Sequence, residues 1–297
     1  MVVVFRKGGP GAVYRAALLP VRYGISPDRL VSRLTRMTAL MSRWDTQPTV
    51  PVTASTLERH PDLLRGLRDA DVAIHGYRHV SYADLSLDEK RSDLESACAV
   101  FAKQGLVAQG FRAPYLRADQ ETFSLLRDRG FLFDSSNTRF ALPVGHSVAR
   151  AARDLAGSRY AMASRSPSAS MPPTPIDMPV SLPDDEILVD GLGIRTTRGL
   201  SSVFEAMMES ASSAGSHLVL QIHPERFHIC EAAVERLVEA ASDAGAWLTT
   251  LSDAANWILH SAGGTRGWPE GHSFALSVTG DLDSVALQDF TWRSLGR

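Results

Sequence analysis

The sequence has 297 residues, of which 44% are apolar and 22% charged, so it can bury an ordinary globular core. A formal net charge of -2 at pH 7 gives no electrostatic basis for binding nucleic acid or an anionic membrane surface. The two cysteines, Cys98 and Cys230, are too few for a disulfide framework and are expected to be buried free thiols.

No stretch of the sequence approaches the run of about 18 apolar residues that a membrane-spanning helix needs. The opening apolar run, Val2 to Phe5, is too short for the core of a secretory signal, and its positive charges follow it rather than precede it. We therefore expect a cytoplasmic protein without a membrane partner. A small intracellular molecule is then a more reasonable substrate than an exported polysaccharide.

The first half of the sequence alternates predicted helices and strands. A helix is expected to begin at Ser26, which would be the N-cap, with Pro27 at the first helical position. Apolar residues at helical spacing then predict a buried stripe of Leu30, Leu34, Met37 and Met41. Further predicted strands cover residues 48–52, 72–74, 107–111 and 131–134, and further predicted helices cover residues 61–68, 86–103 and 120–129.

The alternation breaks over residues 139–185, which we predict to be an irregular loop or lid insertion. Residues 158–175 in particular are rich in serine, proline, alanine and methionine. Regular structure is then predicted as helices over 200–214 and 232–244, strands over 218–222, 246–248 and 274–278, and a short helix through residue 257. Alternating strands and helices, with catalytic residue types at strand ends, are typical of a parallel β/α barrel with its active site at the strand carboxyl ends.

A pair of histidines follows the predicted strand over residues 72–74. His75 and His79 are four positions apart, and Gly76 between them lets the backbone turn, so both imidazoles can be directed at one point. Two imidazoles suit zinc, cobalt, nickel or iron and leave room for a carboxylate and water. The alternative is a coincidental pair of solvated or core histidines.

A pair of carboxylates follows the last predicted strand. Asp281 and Asp283 are two residues apart after an apolar run, so their side chains would point the same way if the backbone stays extended. The alternative is an ordinary turn, in which Gly280 and Asp281 are common residue types.

Taken together, four strand-end motifs resemble motifs two to five of the polysaccharide deacetylase family (NodB homology, carbohydrate esterase 4). In order they are His75-x-x-x-His79, Arg112-x-Pro114-Tyr115, Asp134-Ser135-Ser136 and Leu220-x-x-His223. The first motif of that family supplies a general base and a metal carboxylate and normally precedes the others. Residues 22–25 carry no carboxylate, whereas Asp281-x-Asp283 looks like that motif moved to the C-terminus. The resemblance covers roughly residues 26–257.

The resemblance implies a single α/β domain over residues 1–297, a distorted parallel (β/α)7-type barrel in circularly permuted order. The segment 272–297 would supply the C-terminal strand that completes the barrel. Joining the termini of a domain is tolerated because they often lie close together.

The resemblance also implies the roles of the site residues. Asp283, His75 and His79 would hold one divalent metal ion, with zinc the first expectation and cobalt, nickel or iron the alternatives. Asp281 would be the general base, and Arg112 would orient it.

The remaining implied roles concern the leaving group and the acyl oxygen. His223 would be the general acid, Asp134 would hold its imidazole charged and oriented, and the backbone N–H of Tyr115 would help to bind the oxyanion. Ser135 stands where the family often has tryptophan, so an apolar wall for the acetyl methyl group must come from elsewhere. Each residue alone has an ordinary explanation, such as a surface ion pair, a turn, a helix cap or a core histidine.

The implied function is a metal-dependent N-deacetylase that releases acetate from an N-acetylated amino sugar, with no nucleic-acid partner and with a homo-oligomer as an open possibility. Another hydrolase of C–N bonds, such as one that opens a cyclic amide, remains an alternative. A non-catalytic carbohydrate-binding barrel is the rival class, and it predicts that the Asp281–Asp283 segment packs away from the histidines. A third alternative assembles the site between subunits.

Overall fold

The computed structural model describes residues 23–160, 175–261 and 267–289. The strands are β1 Thr49–Val52, β2 Asp71–Ile74, β3 Gly110–Phe111, β4 Phe133–Asp134, β5 Thr138–Phe140, β6 Ile176–Asp177, β7 Val180–Leu182, β8 His217–Gln221, β9 Ala246–Leu248 and β10 Phe274–Thr279. The helices are α1 Asp28–Ser42, α2 Ala54–Arg59, α3 Leu64–Leu67, α4 Leu87–Lys103, α5 Gln120–Asp128, α6 Ala149–Arg159, α7 Thr197–Ala214, α8 Phe227–Asp243 and α9 Leu251–Ser261. The opening apolar run of residues 2–5 and most of the serine- and proline-rich segment 158–175 lie outside the described residues.

Eight strands form one curled parallel sheet. The order is β6-β4-β3-β2-β1-β10-β8, with β9 paired beside the first half of β10. Every pairing in this sheet is parallel. Helices join successive strands of this sheet, so the predicted α/β class and distorted parallel (β/α)7-type barrel are confirmed, with the sheet curled into a half-barrel.

The C-terminal strand β10 lies in the interior of the sheet rather than at an edge. All six of its residues are buried, as expected of an apolar strand that is covered on both faces in a parallel sheet. It pairs with β8 from Ala275↔His217 to Thr279↔Gln221, and with β1 at Thr49↔Thr279. Beyond Thr279 the chain continues alongside β1, where Leu282 bridges to Val52, so Asp283 reaches the carboxyl end of β1.

The predicted apolar stripe of α1 is confirmed, because Leu30, Leu34, Met37 and Met41 are each at most 1% exposed. The start of the helix differs by one residue: Pro27 occupies the N-cap, and its carbonyl accepts from the backbone N–H groups of Leu30 and Val31. Ser26 donates its hydroxyl to the Asp28 carboxylate instead of capping a backbone group.

Some element boundaries differ from the sequence-based expectation. Helix α2 was not predicted, since six residues are too few to show a helical period. The helix expected over residues 61–68 divides into a 3₁₀ turn, Pro61–Leu63, and the short α3. Strand β3 is limited to two residues, and Val107, which was assigned to it, is 82% exposed.

The segment 139–185 contains more regular structure than expected. The prediction of an irregular insertion is wrong for its described part, which holds α6, β6 and β7. Helix α6 is rich in alanine, so its apolar stripe is weak, and strands of two or three residues are too short to show alternation. Strand β6 extends the edge of the main sheet, while β7 pairs with β5 in a separate parallel pair.

No helix in residues 23–160, 175–261 or 267–289 is long and apolar enough to cross a membrane. Cys230 is buried and Cys98 partly buried, and both are free thiols as expected.

Candidate metal and catalytic site

The histidine loop begins where β2 ends. His75 is 1% exposed, and Gly76 adopts a φ of 71°, a left-handed conformation that a side chain at that position would disfavour. This turn brings the two imidazole rings together, with centroids 5.1 Å apart.

A buried carboxylate on α4 holds the loop in place. Asp93 Oδ1 accepts from the backbone N–H of Tyr77 at 2.7 Å and from the Tyr82 hydroxyl at 2.8 Å. Its Oδ2 accepts from the backbone N–H and the Nε of Arg78, each at 3.2 Å. Asp93 therefore fixes the backbone between the two histidines, a role that the sequence did not suggest.

Asp283 meets both histidines. Its Oδ1 lies 3.3 Å from His75 Nε2 and its Oδ2 lies 3.0 Å from His79 Nε2. One donor atom from each of the three residues falls within 4.8 Å of the others. Burial alone would raise the pKa of Asp283, but the neighbouring His79 and, after it, His75 hold the pKa well below its usual range.

The donor set fits a divalent metal ion. His75 Nδ1 lies 2.7 Å from the carbonyl oxygen of Arg112, which assigns the proton to Nδ1 and leaves the Nε2 lone pair free as a ligand. Asp283 Oδ1 is buried and lacks an aligned hydrogen-bond donor despite its closeness to His75. A buried acceptor of this kind is costly unless it has a partner, and a bound cation would supply one.

Arg112 joins the second carboxylate to the strand ends. It is 0% exposed, and its Nη1 donates to Asp281 Oδ1 at 2.7 Å and to Thr279 Oγ1 at 3.0 Å. Asp281 Oδ2 lies 3.9 Å from His75 Nε2, so the predicted base sits beside the candidate metal position. Both C-terminal carboxylates thus face the histidines within one chain, contrary to the packing that the rival binding-protein hypothesis predicted.

His223 is held by Asp185 and not by Asp134 as expected. Its Nδ1 lies 2.7 Å from Asp185 Oδ1, and its backbone N–H donates to Asp185 Oδ2 at 2.9 Å. Burial by itself would lower the pKa of His223, but the attraction and hydrogen bond of Asp185 raise it well above its usual value. Asp185 thus favours the charged imidazole that a general acid needs.

The correction follows from the strand order. Asp134 ends β4, which is separated from β8 by four other strands of the sheet, and its Oδ1 accepts from the Ser136 hydroxyl at 2.6 Å. Strand β7 instead lies against β8, where Ser181 Oγ accepts from the Val219 N–H. The turn after β7 therefore brings Asp185 to His223.

Residues 26–133 match the family model described as polysaccharide deacetylase. This part of the chain, about a third of the sequence, is similar to the polysaccharide deacetylase family. A peptidoglycan deacetylase-like protein, FGM2 of Gibberella zeae, is 39% identical over 69 residues, which are 23% of this chain and 20% of that protein. The alignment thus spans about a fifth of that relative.

Solved structures share the fold. A crystal structure from Mycobacterium smegmatis assigned to the polysaccharide deacetylases has a TM-score of 0.59 and 22% identity, covering 82% of each chain. The Puue allantoinase structure has a TM-score of 0.54 and 20% identity, covering 78% of this chain and 73% of that one. At these identities, the likeness establishes a common architecture.

Two positions at the site bear on the polysaccharide deacetylase motifs. Tyr115 has a φ of 60°, an uncommon conformation for a residue with a side chain, and its ring packs edge-on against His79 with centroids 4.4 Å apart. Ser135, where the family often has tryptophan, accepts from Arg112 Nη2 at 2.8 Å and donates to the Met178 carbonyl. It supports Arg112 rather than forming an apolar wall.

Sequence reasoning missed Gln221 as well as Asp185 and Asp93. Gln221 is the last residue of β8 and precedes His223 by two positions, so both side chains point to the same face. Its polarity at the end of an otherwise apolar strand was the available signal.

Proposed function

We propose that this protein is a metal-dependent amide hydrolase that removes the acetyl group from an N-acetylated amino sugar. The observation that carries the proposal is the meeting of Asp281 and Asp283 with His75, His79 and Arg112 at the carboxyl edge of the sheet. In this arrangement three side chains could hold a metal ion, Asp281 lies beside that position as a base, and the Arg112 guanidinium orients Asp281.

His75, His79 and Asp283 would hold the ion, and two imidazoles with one carboxylate favour zinc, with cobalt, nickel or iron as alternatives. When bound, the ion would activate water and polarise the acetyl carbonyl group.

Asp281 would take the proton from the attacking water, because its Oδ2 faces the His75 side of the site while Arg112 fixes its Oδ1. His223 would then deliver a proton from Nε2 to the leaving amine, and Asp185 on Nδ1 would keep the ring oriented. The backbone of Tyr115, beside His79, is the candidate oxyanion donor.

The proposal includes a circularly permuted order of motifs. The strand that carries the base and the metal carboxylate would correspond to the first strand of the family, moved to the end of this sequence. The support for this order is the position of β10 between β1 and β8. Strand β1 in turn lies beside β2, the strand that precedes the two histidines.

The first test measures bound metal and acetate release on N-acetylated chito-oligosaccharides and on a nucleotide-linked N-acetylglucosamine. We expect near one equivalent of metal in the wild type, little in Asp283→Ala, and full metal but no acetate release in Asp281→Asn. Asp154→Ala on the exposed side of α6 is the control and should behave as the wild type. Equal metal in wild type and Asp283→Ala, or acetate release by Asp281→Asn, would contradict the assignment.

A cyclic amide hydrolase is the second candidate. The shared architecture with Puue allantoinase motivates it, together with Ser135 in place of the apolar residue that would face an acetyl methyl group. Allantoin and related cyclic amides belong in the same assay. Ring opening without acetate release from any amino sugar would favour this candidate.

A further inference from the structure

Gln221 lies between the two groups that the proposed reaction uses as acid and base. It is 2% exposed and ends β8, directly opposite Thr279 at the end of β10. Its Nε2 donates to Asp281 Oδ2 at 2.8 Å and lies 3.3 Å from His223 Nε2. A single carboxamide nitrogen therefore contacts both side chains.

The contact with His223 constrains which atom carries a proton. Asp185 accepts from His223 Nδ1, so Nδ1 is a donor. The Gln221 nitrogen is also a donor, and it can approach His223 Nε2 favourably only when that atom presents its lone pair. A proton on Nε2 would point at the hydrogens of the carboxamide and would need another acceptor.

The other end of the carboxamide supports the same orientation. Gln221 Oε1 is buried and has no hydrogen-bond partner among the described residues. Exchanging the oxygen and nitrogen would place that oxygen against the Asp281 carboxylate, where two acceptors repel. The bond to Asp281 therefore fixes the nitrogen between base and acid.

We infer that Gln221 is a positioning residue that keeps Asp281 and His223 apart and directs the His223 Nε2 proton to the substrate. The inference rests on the proposed function for the identity of the two groups. Without the carboxamide, a protonated His223 and the Asp281 carboxylate could pair with each other, and the proton would be withheld from the leaving amine.

The charged groups that face His223 come from three elements. Asp185 follows β7, with Asp184 beside it, Glu225 and Arg226 lie in the turn after His223, and Asp281 reaches it across Gln221 from β10. All of them are unchanged in variants of Gln221, so a change in His223 behaviour reports the carboxamide itself.

The substrate-independent test is an NMR titration of the His223 ring, assigned with His223→Gln, in wild type, Gln221→Leu and Gln221→Glu. Leucine removes the opposing donor, so the titration midpoint should rise. Glutamate supplies an acceptor for Nε2–H, so the midpoint should rise further. Gln109→Leu, a similar change at an exposed position, should leave the midpoint unchanged.

The kinetic test uses the substrate that the wild type hydrolyses. Gln221→Leu should lower kcat by about tenfold to 100-fold, within the range of general acid–base contributions, while KM and metal content stay as in the wild type. Gln221→Glu should lower kcat more. A raised KM with unchanged kcat would instead assign Gln221 to substrate binding.

Unchanged His223 midpoints in both folded variants would overturn the inference whether or not the protein hydrolyses an amino sugar. Shifted midpoints in a protein without acetate release would uphold the separation of the two groups and refute the deacetylase proposal. The two failures are therefore distinguishable.

Discussion

The charge state of the His223 imidazole is set by its surroundings. Its pKa is raised by Asp185 against the opposing effect of burial. In Asp185→Asn the carboxylate is lost, so the pKa of His223 should fall and the protonated acid should be lost at a lower pH. We expect kcat to drop about tenfold or more and the basic limb of its pH profile to move to lower pH.

The measurement is kcat against pH, together with bound metal, which should be unchanged because Asp185 is not among the three candidate ligands. Asp243→Asn at the exposed end of α8 is the matched control. An unshifted basic limb would show that another group sets it.

Most single site residues could be predicted because they follow apolar strands. His75, Arg112 and Asp283 stand at or just beyond the carboxyl ends of β2, β3 and β10, where the alternation of elements already points to a site. Asp185 could not be placed in this way. Its closeness to His223 depends on the packing of the three-residue β7 against β8, which is a tertiary contact with no local pattern.

At the level of elements, α4 governs the histidine loop through Asp93. In Asp93→Asn an amide nitrogen would face the donors of the loop, so the backbone between His75 and His79 should loosen. Loss of a residue that orients metal ligands typically lowers metal affinity by about 10- to 100-fold, and we expect Asp93→Asn to lower the metal affinity by this amount.

Competition with a chelator measures this affinity, with the melting temperature recorded beside it. Glu95→Gln on the same helix is the control, since that side chain is 57% exposed and does not face the loop. Unchanged affinity in Asp93→Asn would mean that the loop keeps its shape without the carboxylate.

The segment after Asp283 is tied to α2 and the residue that follows it. Asp289 accepts from the backbone N–H groups of Val285 and Ala286, and it pairs with Arg59 and His60. Burial opposes ionisation, but the His60 and backbone hydrogen bonds lower the pKa of Asp289 to about 2.

A depressed carboxylate pKa contributes stability that is fully present above the unfolded value near 3.8 and is lost as the pH falls through about 2. Asp289→Asn should therefore lower the unfolding free energy at pH 7 by on the order of 2 kcal/mol. Urea unfolding at pH 7, 4 and 3 tests this, and the difference from wild type should shrink below pH 4. A difference independent of pH would contradict the electrostatic origin, and Asp62→Asn is the exposed control.

Long amphipathic elements were predictable, whereas short ones were not. The capping box of Ser86 and Glu89 sets the start of α4 within the local sequence. Strands β4 and β6 have two residues each, and their place in the sheet is decided by neighbouring strands rather than by their own pattern.

At the scale of the whole molecule, the motif order can be tested by rearranging the chain. Gly24 and Ala286 form an isolated parallel bridge, and the Leu287 N–H donates to the Gly24 carbonyl at 3.0 Å. The segment after Asp283 thus lies beside the entry to α1. A variant with residues 267–297 placed before residue 1 should fold and bind as much metal as the wild type.

The complementary experiment deletes residues 267–297. This deletion removes β10, which lies between β1 and β8, and the candidate metal ligand Asp283. That chain should neither bind metal nor unfold cooperatively. A rearranged chain that folds but binds no metal would contradict the proposal that β10 corresponds to the first strand of the family.

The interior position of β10 also orders events during synthesis. Thr56 bonds to the backbone of Asp283 across 227 residues of sequence, so this contact waits until Asp283 has left the ribosome. Until then β1 and β8 each present an unpaired edge, the kind of surface that chaperones shield and that aggregates recruit. The proposed metal site would then be completed only after sheet closure, because Asp283 is one of its three candidate ligands.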